Sequence, residues 1–486
     1  MLLPLADVPR WYAERKPADA IAISHGADAL TWHELERRAN ARARAFAAKG
    51  VKPGDFVAIG LPNSNAFFET SFAVWKCGAT PTSLSWRLPR GEAAAVLDIL
   101  KPSLVVGGEA DWNAPNSLPV NFVPEGFSEE PFDAPVARYW KAMTSGGSTG
   151  RPKVILDHNP AVIETTAEAT LGIARDTSLL NPGPLYHNAP FILSHFALFG
   201  GGQLTGMIKF DAEETLRLIE RARVQWVNFV PTMMHRIWAL PEEVRNRYDV
   251  SSLRWAIGGG EKTPEARIRA FSDHFRNARY IDAYGLTESC GGDTFMDAGR
   301  EIEKIGSTGR AIAHVEIEIR DDAGKRLPAG RNGEICLRGP KVTRGYWKDP
   351  EKTASAFFGD WFRTGDIGYL DEDGFLYLTD RKKDMIVSGG ENIASSEVER
   401  VIYEIPGVRE VAVIGLPDDR WGEKPVAIVV LADDAKLDLS DLTDFCRARL
   451  AAFKVPRQLI IRDSLPRNPS GKVLKRVLRA ELEATT

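Results

Sequence analysis

The sequence predicts an α/β protein. It has a large N-terminal domain of parallel-sheet α/β subdomains plus a small β-barrel, followed by a small α+β C-terminal domain. Three observations carry this expectation. Strand, helix and strand patterns alternate over 56–84 and again over 213–257, the spacing of βαβ units. From about residue 302 short alternating strands such as Val315-Glu-Ile-Glu-Ile-Arg320 take over, separated by Gly, Pro and Asp turns, which is antiparallel and barrel-like. After Arg381-Lys-Lys-Asp384 the last ~100 residues mix helices and strands again, the size of a small domain.

The elements follow in order. Thr31-Trp-His-Glu34 is a capping-box pattern, so a helix should run on through Leu35 and Ala39. Lys52-Pro-Gly-Asp55 is a turn, and 56–60 is a short apolar strand. Residues 66–76 read as a helix, with Gly78 where a C-terminal capping glycine belongs, and 80–84 is again a strand. Segments 138–143 and 153–156 read as strands on either side of a loop. Residues 213–224 form an amphipathic helix with Leu216, Leu218, Ile219 and Ala222 on its buried side, and 226–230 and 253–257 are strands. In the C-terminal region 396–402 and 441–451 read as helices and 411–416 and 426–431 as strands. Leu474, Val477, Leu478 and Leu482 make a final helical stripe.

Composition bounds the function. At ~150 residues per domain, 486 residues suggest about three structural units. With 44% hydrophobic and 26% charged residues the chain is not wholly disordered. The 62 basic and 66 acidic residues leave a net charge of -4, which calls for neither nucleic acid nor an anionic membrane as partner. The four cysteines form no C-x-x-C pair and read as reduced core thiols. Met1 to Pro9 lacks the pattern of a signal peptide, and no run approaches the ~20 apolar residues that span a bilayer. A cytoplasmic enzyme without integral membrane association is expected.

Met143-Thr-Ser-Gly-Gly-Ser-Thr-Gly-Arg-Pro-Lys153 is the first chemical candidate. Glycines let backbone N–H groups approach an anion, hydroxyls add donors and the lysine adds a charge, so phosphate is the natural guest. The segment is not G-x-x-x-x-G-K-[ST]. Five positions beyond Gly146 stands Arg151, beyond Gly147 stands Pro152, and Val154 follows the lysine. A P-loop nucleotidase is therefore unsupported.

Ser145-Gly-Gly-Ser-Thr-Gly-Arg-Pro-Lys153 resembles the phosphate loop of the adenylate-forming superfamily, which holds acyl-CoA synthetases, adenylation domains of peptide synthetases and beetle luciferases. Further motifs of the family follow in order and cover nearly the whole chain. They are Gly259-Gly-Glu-Lys-Thr-Pro264, Asp282-Ala-Tyr-Gly-Leu-Thr-Glu288, Gly345-Tyr-Trp-Lys-Asp-Pro350, Trp361-Phe-Arg-Thr-Gly-Asp366, Asp380-Arg-Lys-Lys-Asp-Met-Ile-Val-Ser-Gly-Gly-Glu-Asn-Ile393 and Pro466-Arg-Asn-Pro-Ser-Gly-Lys472.

The resemblance implies a two-step reaction with ATP, Mg²⁺ and coenzyme A. A carboxylate attacks the α-phosphate of ATP, and a thiol then takes the acyl group. It implies that Thr144, Ser145, Gly146, Gly147, Ser148, Thr149, Gly150 and Lys153 hold the β- and γ-phosphates. Gly146 stands where many members carry a hydroxyl, which removes one contact. Gly259, Gly260, Glu261, Asp282, Ala283, Tyr284 and Gly285 are the implied adenine-binding residues, with Tyr284 stacking on the base and Asp282 accepting from its amino group. A core tyrosine and a turn-capping aspartate are the alternatives for these two. Thr287 is implied to bond the α-phosphate, and Glu288, a hard oxygen donor, to bind Mg²⁺. Asp366 and Arg381 are implied for the ribose and phosphates.

Lys472 is implied as the catalytic lysine, because an ammonium between carboxylate and α-phosphate stabilises developing charge. Lys383 stands at the family's hinge, which divides the chain into 1–382 and a mobile 383–486. Rotation there would withdraw Lys472 and present Ser388, Gly389 and Gly390 to the pantetheine of CoA. Homodimers are common in the family.

Pro184-Leu-Tyr-His187-Asn-Ala-Pro-Phe191 resembles the segment that gates the acyl site, so His187 is expected to orient the carboxylate; a structural histidine is the alternative. Phe191, Phe196, Phe199, Phe229, Met233 and Met234 suit either an apolar pocket or the core. No acidic residue in 191–204 would anchor an α-ammonium group, which argues against amino acids. No carrier domain follows residue 486, which argues against an embedded synthetase module. The expected activity is an acid–CoA ligase for an apolar acid, fatty, aryl or of the bulky bile-acid kind. A free-standing adenylation enzyme serving a carrier protein and a non-catalytic nucleotide-binding protein are the rivals.

Overall fold

Two six- and seven-stranded sheets organise the N-terminal part of the computed structural model. The structure describes the chain except for residues 109–111, 113, 134, 146–151, 167–168, 260–262, 264, 468–472 and 485–486. It divides into two compact units, Met1–Glu316 with Leu337–Phe362, and Ile317–Cys336 with Arg363–Thr486. Among the described residues no helix is long and apolar enough to cross a membrane.

In the first unit, the six-stranded sheet runs Ser117–Leu118, Leu104–Gly107, Phe56–Gly60, Thr80–Ser83, Ala142–Ser145, Lys153–Leu156. All neighbours are parallel except the last pair. Every residue of Phe56–Gly60 is buried, as a parallel strand covered on both faces requires. The seven-stranded sheet runs Arg279–Asp282, Trp255–Gly258, Trp226–Phe229, Ser178–Asn181, Gln203–Gly206, Ile21–His25, Asp28–Thr31, with only the last pair antiparallel. Its C-terminal strand ends carry Gly258 and Asp282, side by side in register. Loops at such ends are where ligands bind in open parallel sheets.

Two helix boundaries match the sequence reading closely, while two helices end earlier than it suggests: 213–224 stops at Arg221, before Arg223 turns left-handed (φ +48°), and 441–451 stops at Arg447. Thr31 caps the helix Trp32–Ala48, accepting from the Glu34 amide at 3.1 Å while Glu34 accepts from the Thr31 amide at 2.9 Å. The helix Asn65–Lys76 ends at Cys77, and Gly78 follows with φ +66°. Two strands begin later than the sequence suggests. Leu253 closes a turn onto Val250, so the strand starts at Trp255, where pairing with Trp226 begins. Likewise pairing with Thr82 begins only at Ala142, and Lys141 points into a buried polar cluster.

The helix Asn188–Phe199 sits in this unit's core. Its His195 is fully buried among Phe68, Phe72, Trp75, Phe191 and Phe199, with ring centroids 4.2–6.1 Å away. Nδ1 donates to the Phe191 carbonyl at 2.8 Å, which favours the charged ring, but burial outweighs it and pushes the pKa down to about 3, so the ring is neutral at pH 7. Above pH 6.5 folded and unfolded histidine are both neutral. Below it only the unfolded chain takes the proton, so this residue drains stability as pH falls from 6.5 toward 3. Urea unfolding at pH 7 and pH 5 is expected to show a smaller acid loss for His195→Phe than for the wild type; equal losses would refute the assignment.

The second unit holds antiparallel strands where the barrel is expected, including Trp361–Leu370 paired with Leu376–Arg381. Its C-terminal sheet runs Glu391–Ile393, Ile386–Ser388, Gly422–Leu431, Val408–Asp418, with Gln458–Ile461 parallel to Gly422–Leu431. The period-2 rule sorts its side chains. Val411, Val413, Ala427 and Val429 pack against Val398, Ile402 and Leu442 of the helices Ser395–Ile402 and Leu439–Arg447. Ala412, Ile414, Val426 and Ile428 face the other way, against Leu478 of the helix Lys475–Glu483, with Val473 and Leu482 beside it.

Candidate active site

In the first unit three of the predicted segments converge. The phosphate-loop candidate spans two antiparallel strands that pair Thr144 with Val154 and Ser145 with Lys153. Gly146, Gly147, Ser148, Thr149 and Gly150 lie outside the described residues. Lys153 points at Tyr346, its Nζ donating to the phenol oxygen at 3.3 Å and lying 4.5 Å from the ring centroid. The Tyr346 hydroxyl donates to Glu288 Oε1 at 3.1 Å. Burial, with the Glu288 charge beside it, pushes the Tyr346 phenol well above its ordinary range, so it stays protonated. Tyr346 belongs to a segment the sequence already flags, but the motif alone gives it no role.

The turn after Trp255–Gly258 and the segment after Arg279–Asp282 lie together. The Ala283 amide donates to the Gly258 carbonyl at 2.9 Å, and a Cβ on Gly259 would come within 3.1 Å of the Ala283 carbonyl. Asp282 is buried and accepts from Thr263, through Oγ1 at 3.2 Å and the amide at 3.4 Å. This contact holds the turn that follows Trp255–Gly258. Tyr284 is buried, and its backbone is held by Asp293 and Thr294. At Gly285 the chain passes so close to Gly292 that a Cβ would lie 2.3 Å from that amide nitrogen, so only glycine fits. Gly260 and Glu261 lie outside the described residues.

Thr287 and Glu288 are half-buried on the turn that follows. The Thr343 amide donates to the Glu288 carbonyl at 2.6 Å, fixing the backbone that carries the carboxylate. Beneath it Lys341 donates to the Gly291 carbonyl at 2.9 Å and to Asp293 Oδ1 at 3.0 Å. Burial raises the Asp293 carboxyl, and Lys341 opposes this. A second buried cluster supports the other side. Lys141 Nζ donates to Asn188 Oδ1 at 3.0 Å and lies 3.7 Å from Asp157. Neither cluster is flagged by sequence. The visible signal is only that Lys141 precedes the glycine loop.

His187 precedes the helix Asn188–Phe199 in extended conformation, half-buried, with Tyr186 4.4 Å away ring to ring. Phe191, Phe199, Phe229 and Met234 are buried; Phe191 packs on Phe67, Trp140 and His195, which makes it core.

In the second unit Asp366 and Arg381 are register partners across the Trp361–Leu370 and Leu376–Arg381 pair, Arg381 Nε lying 3.4 Å from Asp366 Oδ1. Lys383 is exposed in the turn between Arg381 and Ile386. Ser388 pairs with Glu391, leaving Gly389 (φ +62°) and Gly390 (φ +84°) as a two-residue hairpin turn with both φ positive, the geometry that selects glycine. Lys472 lies outside the described residues. The residues around it are anchored: Arg467 bridges Val473, and the Leu474 amide donates to the Pro466 carbonyl at 2.8 Å.

The donor set suits a magnesium–nucleotide complex. Glu288 offers one hard carboxylate, and among the described residues no group of three His, Cys, Asp or Glu could hold a metal alone. Such a site fits Mg²⁺ that takes most of its ligands from phosphate and water.

Comparisons with known proteins agree with this architecture. The chain is 37% identical over 479 residues to a feruloyl-CoA synthase from Amycolatopsis, covering 96% of each chain. It is 34% identical over 477 residues to the long-chain-fatty-acid–CoA ligase FadD13 of Mycobacterium tuberculosis, covering 94% of each. The o-succinylbenzoate CoA synthetase (MenE) of Bacillus subtilis, solved with the acyl-adenylate intermediate OSB-AMP, superposes with a TM-score of 0.87 at 27% identity over 99% of this chain and 98% of that one. The same enzyme solved with ATP and magnesium gives 0.86 over 99% and 100%, also at 27% identity. The family model for AMP-binding enzyme matches residues 9–347 and that for the AMP-binding enzyme C-terminal domain matches 397–472. The chain belongs to the AMP-binding enzymes.

Proposed function

We propose that the protein is an ATP-dependent carboxylic acid–CoA ligase that works through an acyl-adenylate. A carboxylate oxygen attacks the α-phosphorus of ATP, the bond to the β-phosphate bridging oxygen breaks, and pyrophosphate leaves. The thiol of CoA then attacks the acyl carbon, losing its proton, and AMP leaves. One observation carries this reading: Tyr346 joins Lys153, at the end of the phosphate-loop segment, to Glu288. That puts a cation and a hard carboxylate around one point, as a magnesium–polyphosphate requires. Mg²⁺, when bound, neutralises phosphate charge there.

The chain's own residues take these roles. Thr144, Ser145, the loop that follows and Lys153 hold the β- and γ-phosphates. Gly259, Ala283, Tyr284 and Gly285 border the adenine, and Asp282 holds the turn through Thr263. Thr287 bonds the α-phosphate. Asp366 accepts from the ribose hydroxyls, with Arg381 beside it. His187 orients the acid, and Lys472 supplies charge at the transition state. The moving part is 383–486, hinged at Lys383, whose exposed turn supports that role; the Ser388–Gly390 hairpin then meets pantetheine. Four buried thiols suit the reducing cytoplasm where ATP and CoA are found.

The acid is apolar. Two of the relatives named above, the long-chain-fatty-acid–CoA ligase and the feruloyl-CoA synthase, support an extended apolar body, while the third is named for o-succinylbenzoate. The test is pyrophosphate release with ATP and Mg²⁺ across fatty, aryl and steroidal acids, with and without CoA. CoA-dependent turnover with one acid class, yielding a thioester, is expected. A single burst that CoA does not relieve would move the acceptor to a carrier protein, and no release with any acid would overturn the ligase.

A further inference from the structure

Lys153 and Glu288 carry opposite charges in one half-buried site, and nothing in their chemistry keeps them apart. A direct ion pair would occupy both, and in a partly desolvated site it would be harder to break than at the surface. The structure puts a phenol between them. Tyr346 accepts from Lys153 at 3.3 Å and donates to Glu288 at 3.1 Å, so its hydroxyl is a neutral spacer bonded to both. The ring also lies under the Lys153 ammonium, 4.5 Å from centroid to Nζ.

The spacer is rigidly mounted. Tyr346 is 8% exposed and forms a β-bridge with Ile155, two residues beyond Lys153. The next amide, of Trp347, donates to the Val154 carbonyl at 2.9 Å. The Tyr346 amide donates to Thr353 Oγ1 at 2.9 Å, and Thr343, three residues earlier, holds the Glu288 carbonyl. One short segment thus grips the strand that carries Lys153 and the turn that carries Glu288.

We infer that Tyr346 is a positioning residue for the magnesium–nucleotide: its hydroxyl keeps Lys153 and Glu288 from pairing, so that the ammonium meets phosphate and the carboxylate meets Mg²⁺. The inference rests on the ligase reading, in which those two groups bind MgATP. It adds a residue that touches neither the acid nor the bond that breaks.

Tyr346→Phe keeps the ring and its packing and removes only the hydroxyl. Calorimetric titration of MgATP and of AMP into the acid-free protein separates the outcomes. MgATP affinity is expected to fall about tenfold, the scale of one hydrogen bond to a charged group, while AMP, which has no β- or γ-phosphate, binds within twofold of wild type. Unchanged MgATP affinity, or an equal fall for AMP, overturns the inference. A second variant guards against a general packing defect. In Tyr346→Phe with Glu288→Gln the pairing partner is neutral, so ATP titrated in EDTA should bind several-fold more tightly than to Tyr346→Phe alone; no recovery overturns the spacer role. Wild-type protein that binds neither MgATP nor AMP would instead sink the underlying ligase reading.

Discussion

Lys472→Ala is expected to slow acyl-adenylate formation about a hundred- to a thousandfold, the scale of losing one preorganised charge or donor at a transition state. Thioester formation from supplied acyl-adenylate should stay within a few-fold of wild type. The asymmetry follows from the chemistry. Adenylation brings a carboxylate against a polyphosphate, and a cation between them lowers the repulsion. Thiol attack on the mixed anhydride discharges AMP and makes no such demand. The bridge between Arg467 and Val473, the bond from Leu474 to Pro466, and an ion pair from Arg467 to Glu410 at 2.6 Å anchor the chain on both sides of the lysine. Pyrophosphate release and thioester yield, measured separately, read the split. Equal loss in both would mean that the lysine serves structure or CoA, and the two-orientation scheme would fall.

Lys475→Met is expected to cost the second unit about 3 kcal/mol, because it strands a covered carboxylate. Lys475 Nζ lies 2.7 Å from Glu399 Oε1, and both side chains are only 18% exposed. Glu399 also accepts from the Val413 amide at 2.7 Å, and Lys475 donates to Ser395 Oγ at 2.6 Å, which itself donates to Asp380 at 2.8 Å. The cluster ties the helix Lys475–Glu483 to the helix Ser395–Ile402 and to the strand Leu376–Arg381. Burial pushes the Glu399 carboxyl upward, and Lys475 opposes it. Chemical denaturation should show the loss, and adding Glu399→Gln should restore much of it by removing the unpaired charge. A double variant no more stable than Lys475→Met would show that Lys475 acts through packing alone.

The legible parts share one property: their cause is local. The capping box at Thr31 and Glu34 needs only four residues, and Gly78 needs only the helix it ends. The continuous apolar run Val411–Leu416 marks a strand covered on both faces, but which helix covers each face is not in the run itself. Strand starts at Trp255 and Ala142 were less legible, since a strand begins where a neighbour accepts its hydrogen bonds, and that neighbour lies far off in sequence.

The sequence by itself determined the fold class, through periodicity and turn chemistry, and its motifs, in order along the chain, carried the resemblance to the family. Only the tertiary structure decided partners. It gave Asp282 to Thr263, enclosed His195 in aromatic rings, and seated Phe191 in the core. It also set Tyr346 between Lys153, 193 residues away in the chain, and Glu288, 58 away. The physical reason is that a side chain's type fixes what it can bond, whereas the group it meets across such a separation is chosen by how sheets and turns pack.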